Sequence, residues 1–507
     1  MFISFATVVF CLIIAGLYWR RKPSCFPLPP GPKGYPIIGN LFDAPTQHHW
    51  VKYLEWSKRY NSDVIHFRVF GTSVIVLNSL KAAQDLVFAR SSLYSDRPTS
   101  TMLNDLLGWG SLFSFMSYGD AWRIRRRAFW QEFNAYRTLN HRPKQLDTSR
   151  DLLRRLLKEP EEFLHHIKYT LAAGVISVVY GFDVKPENDP NITRAEKALE
   201  QLNESAISGN FLVDILPVLR YVPSWMPGAG FKSYAKKARP ETLDMFNAPY
   251  DEACSRIQTG DIDPSVISRI LESGNYTSDR CADRDVVRDV ASAAYAGGAE
   301  TSHAVLSTFI AAMLLYPDVQ AKGQREIDSY IGARLPNFDD LPHMPYVHAI
   351  MLEVLRWQAV LPLSVAHRLT MDDEYNGYYL PKHSTIFVNT WAILRDEEYY
   401  PDPDSFKPGR FLKDGKVDPK HKDLIVNFGY GRRTCPGRFF AMDSLWILLT
   451  SMLAVFDIKK AKNADGQEID PHIQYLPGYT RHIKPFRCSI TPRSPEAEKL
   501  IRDSDLM

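Results

Sequence analysis

Between Val64 and Ser79 the chain reads "VIHFRVFGTSVIVLNS", in which apolar and polar positions alternate, β-branched residues abound and Gly71 interrupts the run. Period two on either side of a glycine predicts a β-hairpin. Most of the chain beyond Ser79 carries the helical period instead, with long amphipathic stretches near residues 119–136, 147–179, 284–315, 317–331 and 345–358. The segment "YNGYYLPKHSTIFVNTW", residues 375–391, returns to a strand pattern and predicts a second small strand pair. The fold class expected from these patterns is mainly α with minor β-sheets.

The N-terminus has no such periodicity. From Met1 to Trp19, "MFISFATVVFCLIIAGLYW" carries no charged side chain and is stopped by Arg20, Arg21 and Lys22. That is close to the ~20 apolar residues a bilayer-spanning helix needs, and the basic cluster should remain on the cytosolic side. The run has no basic residue ahead of it and no small-residue cleavage site after it, so it predicts a retained signal anchor instead of a removed signal peptide. The next stretch, "KPSCFPLPPGPKGYPIIGN" from Lys22 to Asn40, holds prolines at 23, 27, 29, 30, 32 and 36. Proline fixes φ and removes a donor, which predicts a stiff spacer. The organisation expected is a single N-terminal transmembrane anchor over residues 1–22, a proline-rich hinge over 23–38 and a catalytic body over 39–507.

Composition narrows the class without identifying it. With 507 residues, 45% of them hydrophobic, the chain can build one large core or two ordinary ones. Lys and Arg total 61 against 58 Asp and Glu, so the net charge of +3 argues against a nucleic-acid partner. The cysteines, Cys11, Cys25, Cys254, Cys281, Cys435 and Cys488, show no paired spacing, which suits a reducing compartment.

Candidate chemistry sits at three places. In "ASAAYAGGAETSHAVLSTF", residues 291–309, Gly297 and Gly298 lie inside a long helical pattern, where each costs about 1 kcal/mol relative to Ala. Either something approaches that backbone closely or two helices pack tightly there; the adjacent Glu300 and Thr301 form an acid and hydroxyl able to relay protons. In "MLEVLRW", Glu353 and Arg356 share a helical face at i, i+3, and their apolar neighbours predict a buried ion pair that needs further partners.

The third place is "FGYGRRTCPG", Phe428 to Gly437. Zinc would require other ligands at short spacing. A Cys-His nucleophile, with His421 or His367 as base, and an ordinary buried cysteine are further readings. Axial ligation of haem iron by the Cys435 thiolate, with arginines neutralising propionates, is the reading that uses every residue of the loop.

Here the sequence resembles the cytochrome P450 family. Phe428, Gly431, Arg433, Cys435 and Gly437 match its haem-loop pattern in full, Gly297 to Ser302 match its oxygen-groove motif, Glu353 and Arg356 its Glu-x-x-Arg motif, and Trp122 and Arg126 its Trp-x-x-x-Arg pattern. The resemblance spans essentially the whole chain and implies a P450 fold behind the anchor. It implies heme b ligated by Cys435 as the metal ligand, Phe428 beneath the macrocycle, and Arg433, Trp122, Arg126 and His367 at the propionates. It further implies Glu300 and Thr301 as the catalytic pair, and Arg410 closing a triad with Glu353 and Arg356, although the family's Pro-Glu-Arg-Phe here reads Pro408-Gly409-Arg410-Phe411. The activity implied is insertion of one oxygen atom from O2 into a lipophilic small molecule at the endoplasmic reticulum membrane. The electron donor implied is NADPH-cytochrome P450 reductase, with cytochrome b5 as an optional second donor. The style of the motifs resembles fungal secondary metabolism and points to a neutral scaffold such as a terpenoid. An indole amine, a polyketide, or a reductase-independent isomerase or dehydratase reaction are the alternatives. By the same resemblance the pocket would be lined from Thr101–Phe115, Phe211, Ala293, Gly297, Leu361–Val365 and Leu476–Tyr479.

Overall fold

The alternating segment folds as the pattern predicts. In the computed structural model, which describes residues 25–207, 209–276 and 281–504 with backbone alone at 281–282 and 421–425, β1 (Val64–Val69) pairs antiparallel with β2 (Thr72–Leu77). Phe70 and Gly71 take φ of 45° and 84° at the turn, the two left-handed positions that suit the twist of a tight hairpin. Further along come β3 (His367–Arg368), β4 (Asp373–Tyr375), β5 (Tyr378–Leu380) and β6 (Thr385–Val388). β6 lies parallel to β2 and antiparallel to β3, giving the order β1-β2-β6-β3.

The region 375–391 therefore holds no single strand pair. β4 and β5 close a hairpin of their own, and Pro381, which cannot donate to a ladder, separates it from β6. The apolar Ile386, Phe387 and Val388 are buried in the larger sheet. The expected anchor, residues 1–22, lies outside the described residues. The proline-rich segment is docked where it is described. Tyr379 N–H donates to the Pro27 carbonyl (2.7 Å), His66 N–H to that of Pro30 (3.0 Å), and Asn40 N–H to that of Arg68 (2.6 Å).

The helical remainder is built from α1 (His49–Tyr60), α2 (Asp120–Phe133), α3 (Arg142–Lys158), α4 (Phe163–Tyr180), α5 (Pro190–Ser205), α6 (Gly230–Thr259), α7 (Cys281–Leu315), α8 (Pro317–Tyr330), α9 (Pro345–Trp357) and α10 (Arg438–Val455). The amphipathic stretch expected over 147–179 is split between α3 and α4, because Pro160 opens a short 3-10 turn between them. α7 runs through the middle, against α4 on one side and α2 and α10 on others. Phe309, Ile310 and Met313 of α7 meet Trp446 and Leu449 of α10 and Ile350 and Val354 of α9 in one continuous core. Both α7 and α10 are long and apolar enough to cross a membrane, but most of each apolar stretch is buried inside the fold. A helix apolar on every side belongs in such a centre.

Candidate functional site

The Cys435 loop is shaped before it is charged. Gly429 and Gly431 take φ of 86° and 53°, and a Cβ on Gly431 would come within 2.2 Å of the Val87 carbonyl oxygen, so only glycine fits that turn. Cys435 N–H donates to the Phe428 carbonyl (2.6 Å) and Thr434 Oγ1 to that of Gly431 (2.9 Å), which folds the thiol back over the loop. α10 begins immediately after, with Gly437 as its N-cap. Burial pushes the Cys435 thiol above its ordinary value, and the Gly437 N–H, Arg126 and Arg438 offset this only in part. A free nucleophile needs the opposite shift and a base. His367 donates to or accepts from the Tyr94 carbonyl through Nδ1 (2.7 Å), as a ring whose protonation burial and the charges of Arg97 and Arg433 strongly oppose. It is no base for Cys435, and the His421 side chain lies outside those described.

Cations gather around this thiol. α2 carries Trp122 and Arg126 on one face at i, i+4, while Arg125 between them turns outward to Asp289 (2.8 Å). Arg433 stacks on the Trp122 ring at 4.5 Å and donates to the carbonyls of Ser95 (2.7 Å), Phe113 (3.0 Å) and Met116 (2.8 Å). Burial, then the positive charges of Arg97 and Arg126, pull its pKa down to about 8; burial lowers Arg126 and Arg97 to about 10. Asp96, the acid whose field reaches Arg97 and Arg433, is already committed to Arg368 (2.6 Å). The indole Nε1 of Trp122 is buried and has no partner. Three buried guanidiniums and an unsatisfied N–H beside a buried thiol require an anion to compensate them. A haem bearing two propionates, its iron on the thiolate, fits this donor set.

A cavity of about 280 Å³ opens between that cluster and α7, mostly apolar in lining. Cys435, Phe428, Arg433, Trp122, Arg126 and His367 all border it, and so do Glu300 and Thr301. The structure thus brings every expected site residue to one space. The glycine pair on α7 serves both alternatives read from the sequence. A Cβ on Gly298 would press on Val175 Cγ2 of α4 at 3.2 Å, whereas Gly297 has open space before it and faces the cavity. Thr301 Oγ1 donates to the Gly297 carbonyl (2.6 Å), the back-bond of a hydroxyl one turn on. Burial raises Glu300, but the hydrogen bond and charge of His482, with Lys168 and His303, outweigh it and hold the carboxyl below its usual range.

The scaffold beneath the site is tied by Glu353 and Arg356, both wholly buried. Glu353 accepts from Arg356 Nε (2.7 Å) and Nη2 (2.9 Å), from Lys407 N–H (2.7 Å) and from Arg410 Nε (3.2 Å), and Arg356 Nη1 donates to the Leu394 carbonyl (3.0 Å). Gly409, where the family has a carboxylate, looks onto open space, so the triad closes without it.

Of the segments expected around the substrate, Phe113, Phe115, Ala293, Leu361, Val365 and Tyr479 line the cavity. Phe211 instead packs on Tyr234 (5.7 Å), and Leu476 is 42% exposed. Sequence reasoning missed Leu199, Leu202 and Asn203 of α5 and Val175 and Val179 of α4, whose apolar periodicity is the same whether it faces a core or a cavity. It also missed Arg97, which carries no motif; only its buried place between the carbonyls of Val365 and Ala366 (2.7 Å each) marks it.

Comparison with known proteins agrees with this geometry. The family model Cytochrome P450 matches residues 29–488. The chain is similar to a cytochrome P450 monooxygenase of Armillaria gallica, 41% identical over 99% of both chains, and to one of Rhodocybe pseudopiperita, 39% identical over 96% of this chain and 94% of that one. It is also similar to the tryptamine 4-monooxygenase of Psilocybe cyanescens, 38% identical over 97% of this chain and 98% of that one. With its buried cysteine loop, its cation cluster and its α7 groove matched end to end by these relatives, the chain belongs to the cytochrome P450 family and is an oxidoreductase of the monooxygenase kind.

Proposed function

We propose that the protein hydroxylates a neutral lipophilic metabolite, most readily a terpenoid of fungal secondary metabolism. It does so with heme b held by the Cys435 thiolate, and it works at the endoplasmic reticulum membrane, on the cytosolic side. The observation carrying this reading is the charge of the cavity wall. The acid that lines it is Glu300, already occupied by His482 (2.8 Å), and the guanidiniums of Arg97, Arg126 and Arg433 are needed by propionates. A protonated amine would find no free counter-charge there, whereas Phe113, Phe115, Val175, Leu199 and Tyr479 offer apolar contact.

When bound, haem supplies the activation of O2. The chain's own residues do the rest. Gly297 leaves room beside α7, the apolar wall excludes water, and Thr301 and Glu300 bring protons to the face of the cavity away from Cys435. Arg432 and Arg438 flank the Cys435 loop from outside, with Arg438 against the Phe439 ring at 4.2 Å, and suit an acidic electron donor such as NADPH-cytochrome P450 reductase, with cytochrome b5 as an optional second one. Residues 1–22 serve as the membrane anchor.

The test is a titration of the full-length ferric protein with a cyclic sesquiterpene hydrocarbon and with tryptamine, read as the Soret shift that accompanies water displacement. A shift with the terpene and none with tryptamine at neutral pH is expected. The reverse would move the assignment to an indole amine. That second reading draws on the Psilocybe cyanescens relative and on Glu300 as a carboxylate within reach once His482 is displaced. With a ligand that shifts the spectrum, Thr301→Ala should keep haem content while product formed per NADPH drops by about tenfold or more, the low end for loss of a positioned proton donor. Unchanged coupling would remove Thr301 from the relay.

A further inference from the structure

Glu300 does not face the cavity alone. On its outer side His482 Nε2 lies 2.8 Å from Oε1, brought there by the C-terminal segment, where Leu476 N–H donates to the His482 carbonyl (2.7 Å) and Tyr475 bridges Ile483. The Nε2 edge is shut off from solvent, yet the side chain as a whole is 12% exposed and does not line the cavity. Its open edge therefore looks away from the substrate. One turn along α7 from Glu300, His303 stacks on the His482 ring with centroids 5.6 Å apart and an interplanar angle of 30°. Both His303 nitrogens are buried without a good hydrogen-bond partner, the Leu164 carbonyl being the acceptor nearest to hand. Burial first, and then the charge of His482, pushes His303 down to about 4, so it stays a neutral wall.

We infer that His482 is the residue through which Glu300 takes up protons from solvent, so that a carboxylate-imidazole pair, walled by His303, feeds the Thr301 side of the cavity. This rests on the proposed role of Glu300 and Thr301. The step is a plain proton transfer. Water protonates the open nitrogen of His482, Nδ1; the Nε2–H bond breaks as an O–H bond forms on Glu300; the carboxylic acid then gives its proton into the cavity and returns to carboxylate. The neutral ring left behind carries its proton on Nδ1, and a half-turn about Cβ–Cγ restores the starting form. His482 acts through Glu300 and touches no substrate.

The charged groups around the pair fix the expected pH dependence. Lys168 of α4 is felt by both Glu300 and His303 and is itself paired with Glu196 of α5 (3.2 Å), and His303 is kept neutral. Glu300, held below the usual carboxylate range, is an ionised acceptor at neutral pH. Rising pH then removes the donor and not the acceptor, and proton delivery fails on the alkaline side.

The experiment uses the full-length holoprotein with reductase, NADPH and O2 and no organic ligand, and measures peroxide released per NADPH across the histidine range, about pH 6 to 9. In the parent protein this ratio should climb as pH rises. His482→Gln keeps an N–H donor for Glu300 but cannot titrate, and it should hold the ratio at the alkaline value throughout, at least about twofold above the parent at the acidic end. His482→Phe should do the same. If Gln behaves as the parent does, His482 only positions Glu300 and the proposal is wrong. A second readout is independent of turnover: C2-proton exchange followed by mass spectrometry gives the titration of His482 itself. Glu300→Gln should move it to lower pH, and an unmoved titration would overturn the coupling. A parent protein that binds haem but consumes no NADPH would remove the reaction the relay serves, and with it the proposal; the exchange data would still report whether the pair exists.

Discussion

Cys435→Ala is expected to leave a folded protein with no red-shifted Soret band when it is reduced under carbon monoxide. The thiol is the sulfur that the loop presents to the cavity; Gly437 N–H points at it and Arg126 and Arg438 lend it positive charge. Without iron, burial keeps it protonated more firmly than an ordinary thiol, so the thiolate exists only when a cation replaces the proton. Removing it takes one small side chain from the cavity wall and none from the apolar clusters that hold the helices together. Haem can still partition into the apolar space and meet the propionate-binding arginines, but with water or another weak ligand on iron. The difference spectrum of full-length protein in microsomes reads this directly. A band at the thiolate position in the Ala variant would mean that Cys435 is not the ligand.

Arg356→Ala should have the largest effect on the fold. It would strand the Glu353 carboxylate in a site with no solvent exposure, with the Lys407 N–H and Arg410 as remaining donors. Breaking one side of a buried pair costs about 3–5 kcal/mol, against a total stability of about 5–15 kcal/mol for a typical domain. The expected outcome is little or no haem-loaded protein, and a thermal unfolding midpoint far below that of the parent in whatever can be recovered. Arg356→Lys should rescue little, because a single ammonium cannot reach both Glu353 oxygens and the Leu394 carbonyl at once. Parent-like haem content and thermal midpoint in the Ala variant would show that the pair is dispensable.

How far the sequence could be read depended on what each residue had to satisfy. The hairpin at Val64–Leu77 and the helices through α7 and α9 were legible because one face of each is apolar with a clear period. The Cys435 loop was legible because its glycines, arginines and single thiol are too constrained to serve a lesser purpose. The split between α3 and α4 was hidden by an amphipathic pattern that runs across Pro160 and resumes in phase. The strands at 373–388 were hidden because β6 finds its partner, β2, some three hundred residues earlier in the chain, which no local pattern can reveal. Arg97 and His482 could not be found for the same reason: each becomes chemically meaningful only through neighbours that the chain delivers from elsewhere, Val365 and Ala366 for the one and Glu300 for the other. The anchor lies outside the described residues and rests on its apolar run alone.

The adjacent glycines of α7 look like one motif, yet they answer to different masters. Gly298 sets how closely α7 can lie against α4, since any side chain there meets Val175. Gly297 leaves the helix spacing alone and shapes the space a ligand can occupy. The two positions are therefore separable in design and in divergence: a small side chain at 297 can retune which molecules fit while the helices stay in place. At 298 the same change would have to be matched by a smaller residue at 175. Diversification of the cavity along this helix is thus free at one position and tied to a partner at the next.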